Sequence, residues 1–126
     1  MDLFYRCAHC GNLVYVVNNG SVTPSCCGEP MKLLKAGESD GAAEKHVPVV
    51  SVEGNRVSVK VGSVAHPMSE EHLIQWIALS AGGKMMFQAL SAADQPEAVF
   101  DLEEKGAFTV YEYCNLHGLW KANGEK

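Results

Sequence analysis

Two rhythms of apolar and polar residues run along this chain. From Val47 to Val52 the apolar run is broken only by Pro48 and Ser51; a Gly54-Asn55 turn follows, and Val57, Val59 and Val61 then alternate with Ser58, Lys60 and Gly62. A period of two on either side of a turn predicts a β-hairpin with one buried face. The stretch 73–79 reads two ways. Ser69 offers a helix cap and Ile74, Ile77 and Ala78 fit a helical stripe, whereas the Gly82-Gly83 turn and the run 84–90 favour a second hairpin, and strand is the expectation. Residues 98–102 after Pro96, 108–113, and a short segment around Trp120 bring the total to about seven strands, which suggests an antiparallel sandwich of immunoglobulin-like type.

The first third of the chain is different. Leu13 to Val17 reads as a strand and Asn18-Asn19-Gly20 as a tight turn, giving a hairpin with cysteines at both open ends. Lys35 to Ala43 is small and polar without a period, as in a linker. The expected boundary lies near residue 36, with a small module over 1–36 and the sandwich over 37–126, of which 37–45 form the linker and a Glu-Lys loop. Met31, Met68, Met85, Met86 and the tryptophans are most simply core or interface residues.

Composition narrows the class. With 126 residues, 47% of them hydrophobic, the chain can bury a core but is short for two full-sized domains. A net charge of -5 disfavours nucleic acid or an anionic membrane as partner, so an anionic substrate must be attracted locally. No apolar run is long enough to span a bilayer, and the N-terminus lacks the pattern of a signal peptide; the expectation is a cytoplasmic protein. Five cysteines, an odd number, argue for metal ligands or reactive thiols over a disulfide framework.

The chemistry lies in two groups of residues. Cys7 and Cys10, with the adjacent pair Cys26 and Cys27, suit a tetrahedral all-cysteine site for iron or zinc, and the metal would supply much of the folding energy of so small a segment. Adjacent cysteines cannot splay freely, so this tetrahedron should be distorted. His9 is read as an exposed bystander. Near the other end Cys114 and His117, three residues apart at a strand end, form a metal half-site, and His46, His66 and His72 are available to complete it. One thiolate and four imidazoles make an electron-rich mononuclear site with room for one more ligand, a design for redox chemistry at iron.

These motifs together resemble the desulfoferrodoxin family. The matching residues are Cys7, Cys10, Cys26-Cys27-Gly28-Glu29-Pro30-Met31, Asp40 through Pro48, His66-Pro67-Met68 with His72, and Cys114-Asn115-Leu116-His117-Gly118. The resemblance implies a desulforedoxin-like module with iron on four thiolates and a sandwich carrying a catalytic iron. It also implies superoxide reduction, a homodimer and a rubredoxin-type electron donor. Carried over by position, His46, His66, His72 and His117 would lie in a plane with Cys114 axial, and Glu44 and Lys45 would flank the sixth position. Two rivals remain, a zinc-dependent binding module and a cupredoxin-like copper protein. The first leaves four histidines and Cys114 unexplained, and the second needs only two histidines.

Overall fold

The computed structural model describes residues 2–38 and 41–126; Ser39 and Asp40 of the expected linker lie outside them. The chain divides into two compact units, 1–35 and 36–126.

In the first unit β1 (Phe4–Arg6), β2 (Leu13–Tyr15), β3 (Ser25–Cys26), β4 (Glu29–Pro30) and β5 (Lys32–Leu33) follow one another. They form a sheet of order β2-β1-β5 and a separate β3-β4 ribbon. This corrects the expected hairpin. The Leu13 strand stops at Tyr15 and pairs with the segment before it, Phe4 opposite Tyr15, so the cysteines sit at hairpin turns and not at open ends. The knuckle between β1 and β2 decides the matter: Cys7 N–H donates to Asn12 O at 2.8 Å, Gly11 N–H donates to Cys7 O at 3.0 Å, and Gly11 takes a φ of 80° that a side chain disfavours. Against that closure Val17 and Asn18 make only a bend, and Asn19-Gly20 forms no turn. Phe4, fully buried, packs on Tyr15 with ring centroids 5.2 Å apart.

The second unit opens with a four-residue helix absent from the sequence reading, α1 (Ala43–His46). It continues with seven strands: β6 (Pro48–Glu53), β7 (Arg56–Val61), β8 (Ile74–Ala81), β9 (Lys84–Ala89), β10 (Glu97–Asp101), β11 (Ala107–Cys114) and β12 (Gly118–Glu125). They form two antiparallel sheets, β10-β7-β6 and β12-β11-β8-β9. The all-β expectation is borne out, and the ambiguous stretch is a strand. Its neighbour β11 settles that, because Val110 opposite Leu79 and Glu112 opposite Ile77 give β8 the period of a sheet. Val57, Val59 and Val61 from one sheet and Ile77, Leu79, Phe108 and Val110 from the other make the core. Among the described residues no helix is long and apolar enough to cross a membrane.

This topology gathers chain ends. The start of β6 pairs with the end of β7, Pro48 opposite Val61, and the end of β11 lies beside the starts of β8 and β12. His46 precedes β6, His66 follows β7, His72 precedes β8, Cys114 ends β11 and His117 precedes β12. Five residues from distant parts of the sequence therefore arrive at one end of the sandwich.

Candidate metal centres

His46, His66, His72, Cys114 and His117 each offer one ligand atom, and these five atoms lie within 4.8 Å of one another. The four imidazoles form a closed square. Successive pairs His46–His66, His66–His72, His72–His117 and His117–His46 have ring centroids 4.6 to 5.1 Å apart and planes crossed at 74° to 90°. The Cys114 sulfur lies 3.4 Å from His66 Nε2 and 4.0 Å from His117 Nδ1.

Local contacts choose which nitrogen faces inward. The Nδ1 of His46 lies 2.7 Å from Ala42 O and the Nδ1 of His66 lies 2.7 Å from Pro67 O, so each donates there and presents Nε2 to the cluster. His46 Nε2 lies 3.1 Å from His117 Nδ1. His72 Nε2 is buried with no hydrogen-bond partner. An orphaned, inward-facing nitrogen of this kind is what a metal satisfies.

Burial sets the electrostatics. It pushes the His66 pKa down to about 4 and lowers His46 and His72 as well, holding all three imidazoles neutral and ready to coordinate. Burial raises the Cys114 thiol, opposed by the backbone N–H groups of Leu116 and His117. A bound cation reverses that balance and takes the thiolate.

Size and donor number together test the fit. Two nitrogens about 2.1 Å from one ion and at a right angle lie about 3.0 Å apart, against 3.1 Å between His46 and His117. Five donors exceed the four of a structural zinc site. The set fits a five- or six-coordinate iron.

The second cluster joins Cys7, Cys10, Cys26 and Cys27. Cys10 Sγ lies 3.6 Å from Cys26 Sγ, and Cys26 Sγ lies 4.0 Å from Cys27 Sγ. Thiolates about 2.3 Å from a tetrahedral ion stand about 3.8 Å apart. The adjacent pair is accommodated by a left-handed backbone, Cys27 at φ 53° and Gly28 at φ 77°. Backbone N–H groups of Cys10 and His9 on the Cys7 sulfur bring its pKa down to about 6, while hydrogen bonding among the neighbouring thiols drives Cys27 up to about 12. One sulfur is thus prepared as a thiolate before metal arrives. His9 is exposed and pairs with Glu29 at 2.9 Å, outside the sulfur set.

Glu44 and Lys45 are exposed residues of α1. The charge of Lys45 lowers the pKa of both His46 and His72, and that of Glu44 raises His46. Several supporting residues gave no sign of their role in the sequence. Trp120 stacks on His46 at 5.0 Å and 25°, and its Nε1–H donates to His117 O at 2.9 Å. Gly62 lets the end of β7 approach α1, since a Cβ there would stand 2.6 Å from Glu44 O. That carbonyl accepts from Val64 N–H at 2.9 Å and from Ser63 Oγ at 3.2 Å. Met68 Sδ accepts the Ile74 N–H at 3.4 Å, beyond its expected core role.

An antiparallel sandwich with a square of imidazoles over a thiolate, joined to a four-thiolate module, defines a two-centre redox metalloprotein. The desulfoferrodoxin family matches residues 38–123, and the desulfoferrodoxin N-terminal domain matches residues 2–34. The chain belongs to the desulfoferrodoxin family. A desulfoferrodoxin of Syntrophotalea carbinolica is 53% identical over 95% of this chain and 94% of that one. The crystal structure of the superoxide reductase from Treponema pallidum matches with a TM-score of 0.78 and 36% identity, covering 97% of this chain and 98% of that one. The one-iron superoxide reductase from Giardia intestinalis matches with a TM-score of 0.60 and 34% identity, over 66% of this chain and 99% of that one.

Proposed function

We propose that this chain is a superoxide reductase acting at the four-imidazole, one-thiolate cluster. The closed square of His46, His66, His72 and His117 over Cys114 carries the reading. These five residues would hold the catalytic iron, and Cys7, Cys10, Cys26 and Cys27 would hold a second iron. Iron bound at the first cluster supplies one electron, with which superoxide and two protons become hydrogen peroxide. Neutral imidazoles would favour the ferrous state without adding charge, and the Cys114 thiolate would make the bound ion electron-rich.

Lys45 focuses the anion. The chain carries a net charge of -5, so an exposed cation close to His46 and His72 offsets the general repulsion. It also holds water able to deliver a proton. Glu44, on the same turn, would offer a hard oxygen donor to the ferric ion. Lys45→Ala is expected to slow the bimolecular reaction with superoxide and to flatten its dependence on ionic strength, as followed by pulse radiolysis. An unchanged rate at low salt refutes that role.

We assign the desulforedoxin-like module to 1–36 and an immunoglobulin-like sandwich to 37–126, supported by the separate family matches and by the division of the contacts. The free thiols suit a reducing, cytoplasmic compartment. A homodimer and a rubredoxin-type donor follow from the family resemblance. Metal analysis with a visible spectrum tests the whole reading. Two irons per chain and a ferric-thiolate band that responds to superoxide are expected; one colourless zinc or one blue copper overturns it.

A further inference from the structure

The polypeptide around His72 is irregular. Residues 69–72 form bends and β8 begins only at Ile74. On the facing strand the register slips between Tyr113 and Cys114, where β11 turns away into the Cys114–His117 loop. The ladder is therefore irregular, and close to its end, where two parts of the metal cluster must be held together.

Asn115 extends the hold beyond the last paired residues. Its Oδ1 accepts the Leu73 N–H at 3.0 Å, its Nδ2 donates to Glu71 O at 2.9 Å, and its own backbone N–H donates to Leu73 O at 3.3 Å. The two side-chain bonds grip the chain on either side of His72. Ser69 closes the segment from within, as its Oγ accepts the His72 N–H at 3.2 Å and its N–H donates to His72 O at 3.0 Å. His72 Nε2, by contrast, has no hydrogen bond to fix its ring. His46 and His66 are each steered by a backbone carbonyl on Nδ1. Among the described residues no such carbonyl contact steers His72, so its placement depends on how its backbone is held.

We propose that Asn115 is a positioning residue for the metal cluster, its carboxamide bracketing His72 and binding that segment to the loop carrying Cys114 and His117. This rests on the reading of the cluster as the catalytic metal site. Outer contacts that orient a ligand are typically worth about 10–100-fold in metal affinity. Replacing the bracket with Ala lowers iron affinity by that factor, and the loss acts through His72 alone.

The experiment is a double-mutant cycle on the full-length chain, its imidazole cluster loaded with ferrous ion and its four-thiolate centre kept ferric, titrated with a coloured ferrous chelator. The four-thiolate centre, followed by its own ferric absorption, is the internal reference. Asn115→Ala is expected to release iron from the imidazole cluster at chelator concentrations about 10–100-fold lower than the parent. In a His72→Ala background the same substitution should change nothing further. Retention within twofold of the parent overturns the proposal, as does a loss that adds in full to that of His72→Ala, since that is general loosening. If the Ala variant fails to fold, Asn115→Leu keeps the bulk while removing the Oδ1 acceptor and the Nδ2 donor without adding a charge, and the same cycle decides. Failure of the metal-site reading is distinguishable, because the parent chain would then hold no iron at this cluster before any substitution.

Discussion

Glu112 lies fully buried on the inward face of β11, opposite Ile77 and Trp120, and neither carboxyl oxygen has a hydrogen-bond partner. Burial alone raises its pKa from 4.5 to about 9, so the group is protonated at neutral pH in the folded chain and ionised in the unfolded one. Between those values the native state holds the extra proton. Stability is full below the unfolded pKa and declines as pH rises toward the folded one, by about 1.4 kcal/mol per pH unit. Between pH 5 and pH 8 the ceiling is on the order of 4 kcal/mol, and relaxation with water entry reduces what is measured. Glu112→Gln keeps the shape and removes the titration. Urea unfolding of the metal-free chain, followed by fluorescence, reports the second unit selectively, because Trp76 and Trp120 are the chain's two tryptophans. The variant should match the parent near pH 5 and exceed it increasingly toward pH 8. The shared histidines cancel in the difference. Parallel stability curves for the two proteins would show that Glu112 is not a buried, protonated acid.

In the Glu112→Gln background the imidazoles should govern the acid side. His46, His66 and His72 have folded pKa values below 6.5, that of His66 about 4, so they contribute stability above 6.5 that is lost as pH falls toward 4; a flat melting temperature across that window sinks the argument. Gly62→Ala places a Cβ 2.6 Å from Glu44 O and should cost about 1–3 kcal/mol, while slowing the reaction with superoxide; equal melting temperature and equal rate would contradict it. Trp120→Phe keeps a ring over His46 but loses the donor to His117 O, whereas Trp120→Leu loses both. The ferric-thiolate band should shift further in the Leu variant, and identical spectra would remove Trp120 from the site.

The sandwich was legible because Val57, Val59 and Val61 announce a sheet with one dry face, a local pattern that long-range pairing then reinforces. Residues 73–79 fit helix and strand alike until β11 was placed beside them. The N-terminal hairpin was misread because the apolar run Leu13 to Val17 and Asn18-Asn19-Gly20 look self-sufficient, while the Gly11 knuckle that determines the partner gives a weaker signal. Metal-binding residues stand out in any sequence because thiols and imidazoles have few other uses in such spacing. Asn115 and Trp120 do not, since an amide or an indole is commonplace and their partners appear only after folding, as with Asn115 and Leu73, 42 positions apart.

The imidazoles of His46 and His66 are aimed by carbonyls belonging to the protein itself. These two donors are consequently aimed without help from an ion, and nitrogen and sulfur donors do not by themselves discriminate in favour of iron. Divalent copper and zinc bind most such donor sets more tightly than ferrous ion. A newly made chain is thus exposed to mismetallation from its first moments, and possession of the right ion depends on which metals the cell leaves free while the sandwich closes.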